Sequence, residues 1–298
     1  MKLVVVIVTY NAMKWIDKCL RSLENSTFPN DVYIIDNGSS DGTYAYIVEQ
    51  YPQVRIELRQ ENLGFGRANN IGLNYAIQKG YDSVYLLNQD AWVNPDTFKI
   101  LIDAHLNNPI FGILSPMQLQ ANLMHFDSNF RQNIGKKMGG TDLLERLFFK
   151  TSEQVFEVEF VMAAHWLISR DCLRRVGGFS PSFPHYGEDD NYISRAKFHG
   201  FKVGIVPDAL AVHDRESRVI SSEKQFYIKW YIGTIIKYSS IYNKYGNYIL
   251  KYCMKSLTEI IHFKFYPVKY SVKLLKSYFF MRKNKKASFT EGAFLIKK

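Results

Sequence analysis

Cysteine is scarce in this sequence. The three cysteines, Cys19, Cys172 and Cys253, lie far apart, and none belongs to a CxxC pair or has a histidine at metal-ligand spacing. This pattern argues against a disulfide framework and against a structural zinc site. It predicts reduced thiols in a cytosolic setting.

Long apolar runs are also missing. No stretch reaches the roughly 18 consecutive apolar residues that a membrane-spanning helix needs. The short apolar run 3–8 is followed by Thr9, Tyr10 and Asn11, and no small-residue cleavage site comes after it. We therefore expect this run to be a buried strand rather than a signal peptide.

Acidic residues are nearly absent from the last part of the chain. Residues 219–298 contain sixteen Lys and Arg but three Glu, a charge of +13, which leaves −3 on residues 1–218 from the total of +10. The chain of 298 residues is 47% apolar, which is enough for a substantial core. We predict a nearly neutral globular domain, 1–218, and a basic, aromatic-rich helical segment, 219–298.

The globular part alternates short β-branched apolar runs with amphipathic stretches. The runs predict strands at 3–8, 32–35, 54–58, 84–87, 111–114, 155–168 and 202–206. The stretches between them predict helices at 15–23, 44–50, 68–79, 95–106, 170–176 and 188–199. This alternation indicates an α/β fold with a mainly parallel sheet. The polar, glycine-containing residues 131–140 predict a mobile loop.

Polar side chains recur where predicted strands meet loops. Asp36, Asp90 and His213 stand at such points, and Glu188 and Asp189 open a predicted helix. In an open α/β sheet, ligands bind beyond the carboxyl ends of the strands, and carboxylates there can hold a hard cation and, through it, a diphosphate. A structural explanation also exists, because Asp often ends strands and acids at a helix N-terminus gain ~0.3–1 kcal/mol from the macrodipole.

Six motifs follow one another in the order seen in family 2 glycosyltransferases, and the sequence most resembles the rhamnosyltransferase and galactofuranosyltransferase branch. The resemblance covers residues 3–214, roughly the first 70% of the chain. The motifs are VIVTYN at 6–11, IDNGSSDGT at 35–43, NLGFG at 62–66, LLNQD at 86–90, VGGF at 176–179 and GEDD at 187–190. A single motif is weak, but six in register are specific. The resemblance implies a GT-A fold with flanking helices, followed by a C-terminal helical appendage.

The resemblance also implies a nucleotide-sugar pocket. Seven residues would line or border it: Thr9, Tyr10, Asn11, Asp36, Asp41, Asn62 and Asn88. Asp36 would hydrogen-bond the pyrimidine base. Asn88 stands where a two-acid metal motif would have its first acid, and its carbonyl is a permissible but neutral ligand for a hard cation.

Two further sites follow from the same resemblance. Asp90 and His213 would hold Mg²⁺ or Mn²⁺ on the donor diphosphate, and Asp189 would be the general base, with Glu188 holding the acceptor or tuning the base. The chemistry agrees, since one-step inversion needs a single base opposite the leaving group. A cation removes the need to protonate the leaving nucleotide. Two adjacent carboxyls also resist joint ionisation, which would raise the pKa of one.

Five other residues have competing interpretations. His165 and Trp166 could face an acceptor, but we expect them to be core. Arg67 and Arg215 could each contact a phosphate or lie in solvent, and His185 could contact the acceptor or be a simple loop residue.

The basic segment carries an aromatic stripe at roughly helical spacing, with lysines between its members. The stripe is Phe226, Tyr227, Trp230, Tyr231, Ile235, Tyr238, Tyr242 and Tyr245, and the lysines are Lys224, Lys229, Lys237 and Lys244. The stripe could pack on the globular domain, or it could lie on an anionic membrane. We favour membrane contact, because charge and aromatics are concentrated together. Nucleic-acid binding is disfavoured, because no nucleic-acid-binding motif is present.

The sequence therefore predicts a metal-dependent, inverting glycosyltransferase at the inner face of the cell membrane. Its donor would be dTDP-rhamnose or a UDP-sugar, and its acceptor a saccharide or lipid-linked saccharide in cell-surface polysaccharide synthesis. The alternatives are a nucleotidyltransferase, which should carry a Gly-rich loop with Lys after the first strand, and a non-catalytic membrane-associated binding protein. The sugar, the linkage and homo-oligomer formation stay open.

Overall fold

A nine-stranded sheet lies at the centre of the described structure. The computed structural model describes residues 1–136, 149, 154–183, 186–215, 222–243, 247–260 and 266–295. The strands are β1 (Leu3–Thr9), β2 (Asp31–Asp36), β3 (Arg55–Leu58), β4 (Ser83–Asn88), β5 (Ala91–Val93), β6 (Phe111–Leu119), β7 (Phe156–Glu157), β8 (His165–Ser169) and β9 (Lys202–His213). Their order is β3-β2-β1-β4-β8-β6-β9-β5, with β7 paired to β9.

Helices connect and flank these strands. They are α1 (Ile16–Glu24), α2 (Thr43–Gln50), α3 (Phe65–Lys79), α4 (Thr97–Asn107), α5 (Ser128–Lys136), α6 (Arg170–Val176), α7 (Glu188–Phe198), α8 (Ser222–Ser239), α9 (Tyr248–Ile260) and α10 (Tyr266–Ala287). β1, β2, β3, β4, β6 and β9 run in one direction, whereas β8 is antiparallel to both β4 and β6. The predicted mostly parallel α/β sheet is confirmed.

Each face of the sheet is covered by its own hydrophobic cluster, as the alternation of side chains along β1 illustrates. Val4 and Val6 point into one cluster, which includes Leu73 and Ala76 of α3. Leu3, Val5 and Ile7 point into the other, with Ile16 of α1 among their neighbours. Burial on both faces explains why β1 is a continuous apolar run, and it fixes the polar loop after Thr9 at the sheet edge.

Four predicted elements differ from the structure. The strand predicted at 202–206 continues to His213, because after a register shift beyond Val206 its residues 210–212 pair again with β6 and its residues 211–213 pair with β5. Residues 155–168 are not one strand, since the described structure has β7 at Phe156–Glu157 and β8 beginning only at His165. β6 does not end at Ser115 and Pro116 but continues to Leu119, because its pairing with β9 shifts register at Pro116. Such an irregularity accommodates a proline, which cannot donate to the ladder.

The predicted loop at 131–140 is wrong in its first part. Residues 131–136 belong to α5, and residues 137–140 lie outside the described residues. The helix begins after Asp127, whose carboxylate Oδ1 accepts a hydrogen bond from the Phe130 N–H at 2.8 Å. An aspartate at this N-cap position satisfies an otherwise unpaired backbone donor.

The C-terminal helices build a third hydrophobic cluster. Ile235, Tyr238, Tyr252 and Leu274 form it together with Phe183 from the globular part. Two buried polar contacts also cross this junction, as the Asn284 amide donates to Ser182 Oγ at 2.9 Å and the Asn191 amide donates to Ser239 O at 3.3 Å. The division at 218/219 stays a prediction.

The structure separates the predicted aromatic stripe into packed and exposed members. Ile235 and Tyr238 are buried in the third cluster, and Trp230 and Tyr231 pack against it, whereas Tyr242 is exposed. The remaining members and two of the lysines lie outside the described residues or have undescribed side chains: Lys224, Phe226, Tyr227, Lys244 and Tyr245. Within the described ranges, no helix is both long and apolar enough to cross a membrane.

Candidate active site

The loops after β1 and β2 are joined through one buried carboxylate. Thr9 and Asp36 are register neighbours at the ends of the two strands, and the Thr9 hydroxyl donates to Asp36 Oδ2 at 2.7 Å. Asp36 also accepts from the Gly38 and Ser39 N–H groups at 3.1 and 2.8 Å and from the Ser39 hydroxyl at 2.7 Å. Asp36 therefore shapes its own loop, and its predicted contact with a base stays a prediction.

Asp41 ties the same two loops together a second time. Its carboxylate accepts from the Met13 N–H at 3.1 Å and from the N–H and hydroxyl of Thr43 at 3.1 and 2.6 Å. Burial raises the pKa of Asp41, but the hydrogen bonds from Thr43 and Met13 outweigh it and hold the pKa below its usual value. Asp41 is therefore an ionised carboxylate that links the loops after β1 and β2.

Tyr10 and Asn11 are exposed in the loop after β1. Asn11 has a φ of 53°, which asparagine tolerates better than most residues, and its Oδ1 accepts from the Ser40 N–H at 2.9 Å. The Tyr10 N–H donates to Gln89 Oε1 at 2.7 Å, and Gln89 Nε2 donates back to Tyr10 O at 3.2 Å. Gln89 thus attaches the β1 loop to the end of β4, a role that the sequence did not reveal.

Asn62 lies where a third loop joins this edge. Its Oδ1 accepts from the Gly64 N–H at 2.8 Å, a local turn that leads directly into α3. The neighbouring Leu63 N–H donates to Asn37 Oδ1 at 3.3 Å. The structure thereby brings the 62–66 motif against the loop after β2.

Asp90 and His213 lie close together because β5 and β9 are neighbouring strands. β5 pairs Ala91 with His213, which places Asp90 Oδ1 3.3 Å from His213 Nε2. The Asn88 amide nitrogen lies 3.4 Å from the same imidazole nitrogen. The Asp90 side chain is 24% exposed and that of His213 is 2% exposed, so the carboxylate has the more open face.

The charge of Asp90 is set by two opposing effects. Burial raises the pKa of Asp90, but the hydrogen bond and charge of His213 and the charge of Arg215 lower it below its usual value. The group is therefore a carboxylate at neutral pH.

This pair fits part of a divalent cation site. Two neighbouring ligands of an octahedral Mg²⁺, with bonds of about 2.1 Å, lie roughly 3 Å apart, close to the observed 3.3 Å. Within the described ranges no group of three or more His, Cys, Asp or Glu side chains is arranged to hold a metal. Asp90 and His213 would thus supply two positions, and phosphate oxygens and water would have to supply the others.

Asp127 lies beside His213, a position that the sequence analysis did not identify. It is buried, its Oδ2 lies 4.0 Å from His213 Nδ1, and Arg215 Nε lies 3.3 Å from the same oxygen. At 4.0 Å this contact is electrostatic rather than a hydrogen bond, and His213 Nδ1 has no hydrogen-bond partner among the described residues. The N-cap pattern of Asp127 before Ser128 could have revealed the helix but not this contact.

Glu188 and Asp189 begin α7, directly after Gly187 with a φ of 88°. Glu188 is 7% exposed, and its Oε2 has no hydrogen-bond partner among the described residues. Asp189 is partly exposed, and its Oδ1 accepts from the Asp190 N–H at 2.9 Å. Burial first, and then the charge of Asp189, raise the pKa of Glu188 to about 8. Glu188 is thus mainly protonated at pH 7.

Two glycine-containing motifs meet beside this acid pair. A Cβ at Gly66 would lie 3.8 Å from Glu188 Cβ and 3.1 Å from Phe179 Cβ, so only glycine allows this approach without displacement. Asn70 holds the Phe179 backbone from both sides, accepting its N–H at 2.7 Å and donating to its carbonyl at 2.9 Å. The start of α3 therefore lies between Glu188 and the loop after β2.

Arg195 holds the end of α6 in place and was also missed in the sequence. Its guanidinium is fully buried and donates to the carbonyl oxygens of Val176, at 2.8 Å, and Gly178. Burial lowers the pKa of Arg195 to about 10, which leaves it charged at pH 7. The side chain positions the loop that carries Phe179.

The structure distinguishes between the competing interpretations for four of the five residues. His185 lies outside the described residues. His165 and Trp166 are fully buried, which confirms them as core. His165 Nδ1 lies 2.9 Å from the Tyr85 hydroxyl, and burial lowers the pKa of His165 to about 3. Arg67 is exposed, and Arg215 pairs with Asp127.

The chain is similar to known glycosyltransferases in sequence. The family model described as glycosyl transferase family 2 matches residues 4–177. An N-acetylglucosaminyl-diphospho-decaprenol L-rhamnosyltransferase of Mycobacterium tuberculosis is 27% identical over 233 residues, covering 71% of this chain and 75% of that protein. The dTDP-rhamnosyl transferase RfbF of Shigella flexneri is 22% identical over 211 residues, covering 70% of this chain and 67% of that protein.

A solved structure shows the same fold. The mannosyltransferase PcManGT from Pyrobaculum calidifontis, in complex with GDP-Man and Mn²⁺, superposes with a TM-score of 0.55 at 17% identity, covering 96% of this chain and 73% of that chain. This similarity bears out the predicted GT-A fold.

Proposed function

The chain belongs to glycosyl transferase family 2, and we propose that it transfers a sugar from a nucleotide-diphosphate donor to a saccharide acceptor with inversion. The observation that carries the proposal is the meeting of Asp90 with His213, at 3.3 Å, beside the braced loops after β1 and β2. Membership of this family argues against the alternative activity, that of a nucleotidyltransferase.

The donor would lie along the carboxyl edge of the sheet. The exposed Tyr10 and Asn11 would contact the base and ribose. The buried Thr9 and Asp36, together with Asp41, would fix the loops, and Asn62 and Asn88 would lie at the margins of the pocket. The backbone N–H groups and hydroxyls of these turns are suited to nucleotide oxygens. Most of the pocket would then be formed before the donor arrives.

Asp90 and His213 would hold a divalent cation, Mg²⁺ or Mn²⁺. When bound, the cation neutralises charge on the diphosphate as the bond to the sugar breaks. PcManGT, whose structure contains Mn²⁺ with GDP-Man, supports this choice. The chain's own part would be to present a carboxylate and an imidazole to a cation held on the donor phosphates.

Asp189 would act as the base. It takes the proton from the acceptor hydroxyl while that oxygen attacks the anomeric carbon, and the nucleoside diphosphate leaves from the opposite face. Glu188, protonated because of its raised pKa of about 8, can donate a hydrogen bond to the acceptor or to Asp189. The two neighbouring carboxyls thus take different roles.

The curated relatives suggest the sugar and the acceptor. Both act as rhamnosyltransferases, and one is named for a decaprenol-diphosphate-linked substrate. We therefore propose dTDP-rhamnose as the first donor to test, a lipid-linked saccharide as acceptor in surface polysaccharide synthesis, and a cytoplasmic location at the inner membrane face through residues 219–298.

A panel of nucleotide sugars tests the proposal. A ligand that binds only the folded state raises the melting temperature, so thermal shifts are measured for dTDP-rhamnose and UDP-sugars with Mg²⁺, Mn²⁺ or chelator. We expect one donor to shift the melting temperature only when a cation is present, and to be slowly hydrolysed. If no nucleotide sugar produces a shift or hydrolysis, the proposed function is wrong.

A further inference from the structure

A groove rich in lysine opens between α8 and α9, away from the proposed active site. Its volume is about 470 Å³, and its lining includes Lys229 and Lys237 from α8 and Lys251 and Lys255 from α9. All four lysines are exposed, and no acidic residue is among the described residues that line the groove. Four ammonium groups around one concave surface favour an anionic ligand.

The floor of the groove is aromatic and fixed by packing. The Trp230 and Tyr252 rings lie 4.4 Å apart between centroids, and Tyr252 is buried in the cluster that joins the C-terminal helices to Phe183. Lys255 Nζ lies 4.5 Å from the centre of the Trp230 ring. The lysines are therefore presented from a rigid base rather than from a fluctuating surface.

An apolar row runs beside the lysine row on α9. Leu250, Met254 and Leu257 are spaced by four and three residues, which places them on one helix face, and all three are exposed, Met254 by 60%. Lys251 and Lys255 each follow one of these residues, so the two rows are neighbours on the helix. A helix with adjoining apolar and basic rows fits the boundary between lipid headgroups and acyl chains.

We propose that the groove binds the phosphate of an anionic phospholipid in a bilayer, while Leu250, Met254 and Leu257 enter the acyl boundary. The exposed aliphatic row favours a lipid surface over a nucleic acid, which has no use for Leu and Met side chains. The site uses part of the predicted aromatic stripe, since Trp230, Lys229 and Lys237 line the groove. Tyr238 and Ile235 of that stripe instead face inward.

One helix, α8, has residues at both the groove and the loop before the acid pair. In α8, Ile236 contacts the loop before Glu188, since a Cβ at Gly187 would lie 2.8 Å from Ile236 Cγ1. The next residue, Lys237, lines the groove. A lipid held in the groove would thus fix the orientation of α8, which packs beside the proposed acceptor end of the active site. The inference rests on the membrane contact proposed above.

Vesicle binding tests the charge requirement. Binding is measured by co-sedimentation with vesicles of phosphatidylglycerol and phosphatidylcholine and with vesicles of phosphatidylcholine alone. Each basic residue near an anionic surface contributes about 1 kcal/mol, so Lys251→Gln with Lys255→Gln should weaken binding to the anionic vesicles about 30-fold. The matched control, Lys79→Gln with Lys99→Gln on the exposed surface of α3 and α4, should bind as the wild type does.

A second pair of variants tests the groove without changing charge. Gly233 lines the groove, and nothing lies within 4 Å of a Cβ built there. Gly233→Phe should therefore fill the groove without backbone strain and weaken binding at least about tenfold, whereas Gly233→Ala should bind as the wild type does. Circular dichroism checks that both variants keep the fold.

A third pair tests the apolar row. Met254→Ser with Leu257→Ser should weaken binding about tenfold or more, because each residue would lose apolar burial in the bilayer. Leu106→Ser with Met124→Ser, which changes two exposed apolar residues elsewhere, should have no effect.

Three results would overturn the inference: equal binding to neutral and anionic vesicles, wild-type binding by the Lys251/Lys255 and Gly233→Phe variants, or tighter binding to a single-stranded oligonucleotide that the same variants abolish. No donor or acceptor is present in these assays. Failure here therefore leaves the nucleotide-sugar result untouched, and failure of the donor panel leaves the vesicle result untouched.

Discussion

The carboxyl edge of the sheet and the C-terminal helices are held in place by different interactions. At the sheet edge, short polar side chains such as Asp36, Asp41 and Gln89 form hydrogen bonds within their own loops and with neighbouring loops. The C-terminal helices are held by aromatic and aliphatic packing around Tyr252 and Phe183. The hydrogen bonds at the sheet edge fix the positions of individual atoms, as a nucleotide site requires. The packing of the C-terminal helices supports the acid pair and leaves an exposed surface for lipid.

The largest expected effect tests the acid pair next to the C-terminal helices. Asp189→Asn removes the proposed base and should lower transfer about 10²- to 10⁴-fold, with donor affinity nearly unchanged, because the sheet edge remains intact. Steady-state transfer and donor titration measure the two quantities. Asp190→Asn is the matched neighbour and should retain most activity. Substantial turnover by Asp189→Asn would remove Asp189 from the role of base.

The next effect tests the sheet edge itself. Asp90→Ala removes the carboxylate of the proposed cation pair and should weaken donor binding at least about tenfold in Mn²⁺, toward the weak binding that the wild type shows in chelator. Asp103→Ala, an exposed acid on α4, is the control. Equal donor affinity of wild type and Asp90→Ala in Mn²⁺ would contradict the metal role.

A pair of glycines tests the junction between the two regions. Gly177 and Gly200 both have positive φ, 85° and 87°, but a Cβ at Gly177 would lie 1.9 Å from Ala293 O, whereas nothing lies within 4 Å at Gly200. Backbone strain should cost each alanine variant about 1–2 kcal/mol. The clash should cost Gly177→Ala about 1–3 kcal/mol more. Urea unfolding measures both, and equal losses would mean that the C-terminal residues do not constrain this loop.

The smallest expected effect concerns the buried acid. The pKa of Glu188 is about 8 in the folded protein against an ordinary 4.5, so the unfolded chain loses this proton first as pH rises. The free energy of unfolding should therefore fall between pH 4.5 and 8 and then stay level. Glu188→Gln should remove about 1–3 kcal/mol of that fall. Urea titrations at pH 5 and 8.5 measure it, and an identical pH dependence in both proteins would contradict the burial argument.

Local patterns explain which parts of the fold could be predicted. β1, β2 and α6 follow from apolar periodicity and a terminal glycine, and the structure has them within about two residues of the predicted ends. The run 155–168 was misread because apolar residues at 160–163 are buried without pairing in the sheet. An apolar run is expected both for a buried strand and for a buried segment outside the sheet, so the residue types at 160–163 could not distinguish the two.

The proposed site shows the same limit. Asp90 follows a predicted strand, but its meeting with His213 depends on two features that the sequence did not indicate. β9 continues past Val206 to His213, and it pairs there with β5, which is too short for any periodicity to predict. Asp127 was missed because its contact with His213 joins residues 86 positions apart. The aromatic stripe indicated an amphipathic segment, but the choice between an inward and an outward face depends on Phe183, which lies outside the segment.

The hydrogen bonds to Asp36 affect how fast the nucleotide sugar should bind. Its carboxylate already receives four hydrogen bonds from Thr9, Gly38 and Ser39, so the loop has little freedom left to lose when a nucleotide arrives. Ordering costs on binding are avoided when a site is formed in advance. We expect association to follow the encounter rate in one step, with differences between donors expressed mainly in their residence times.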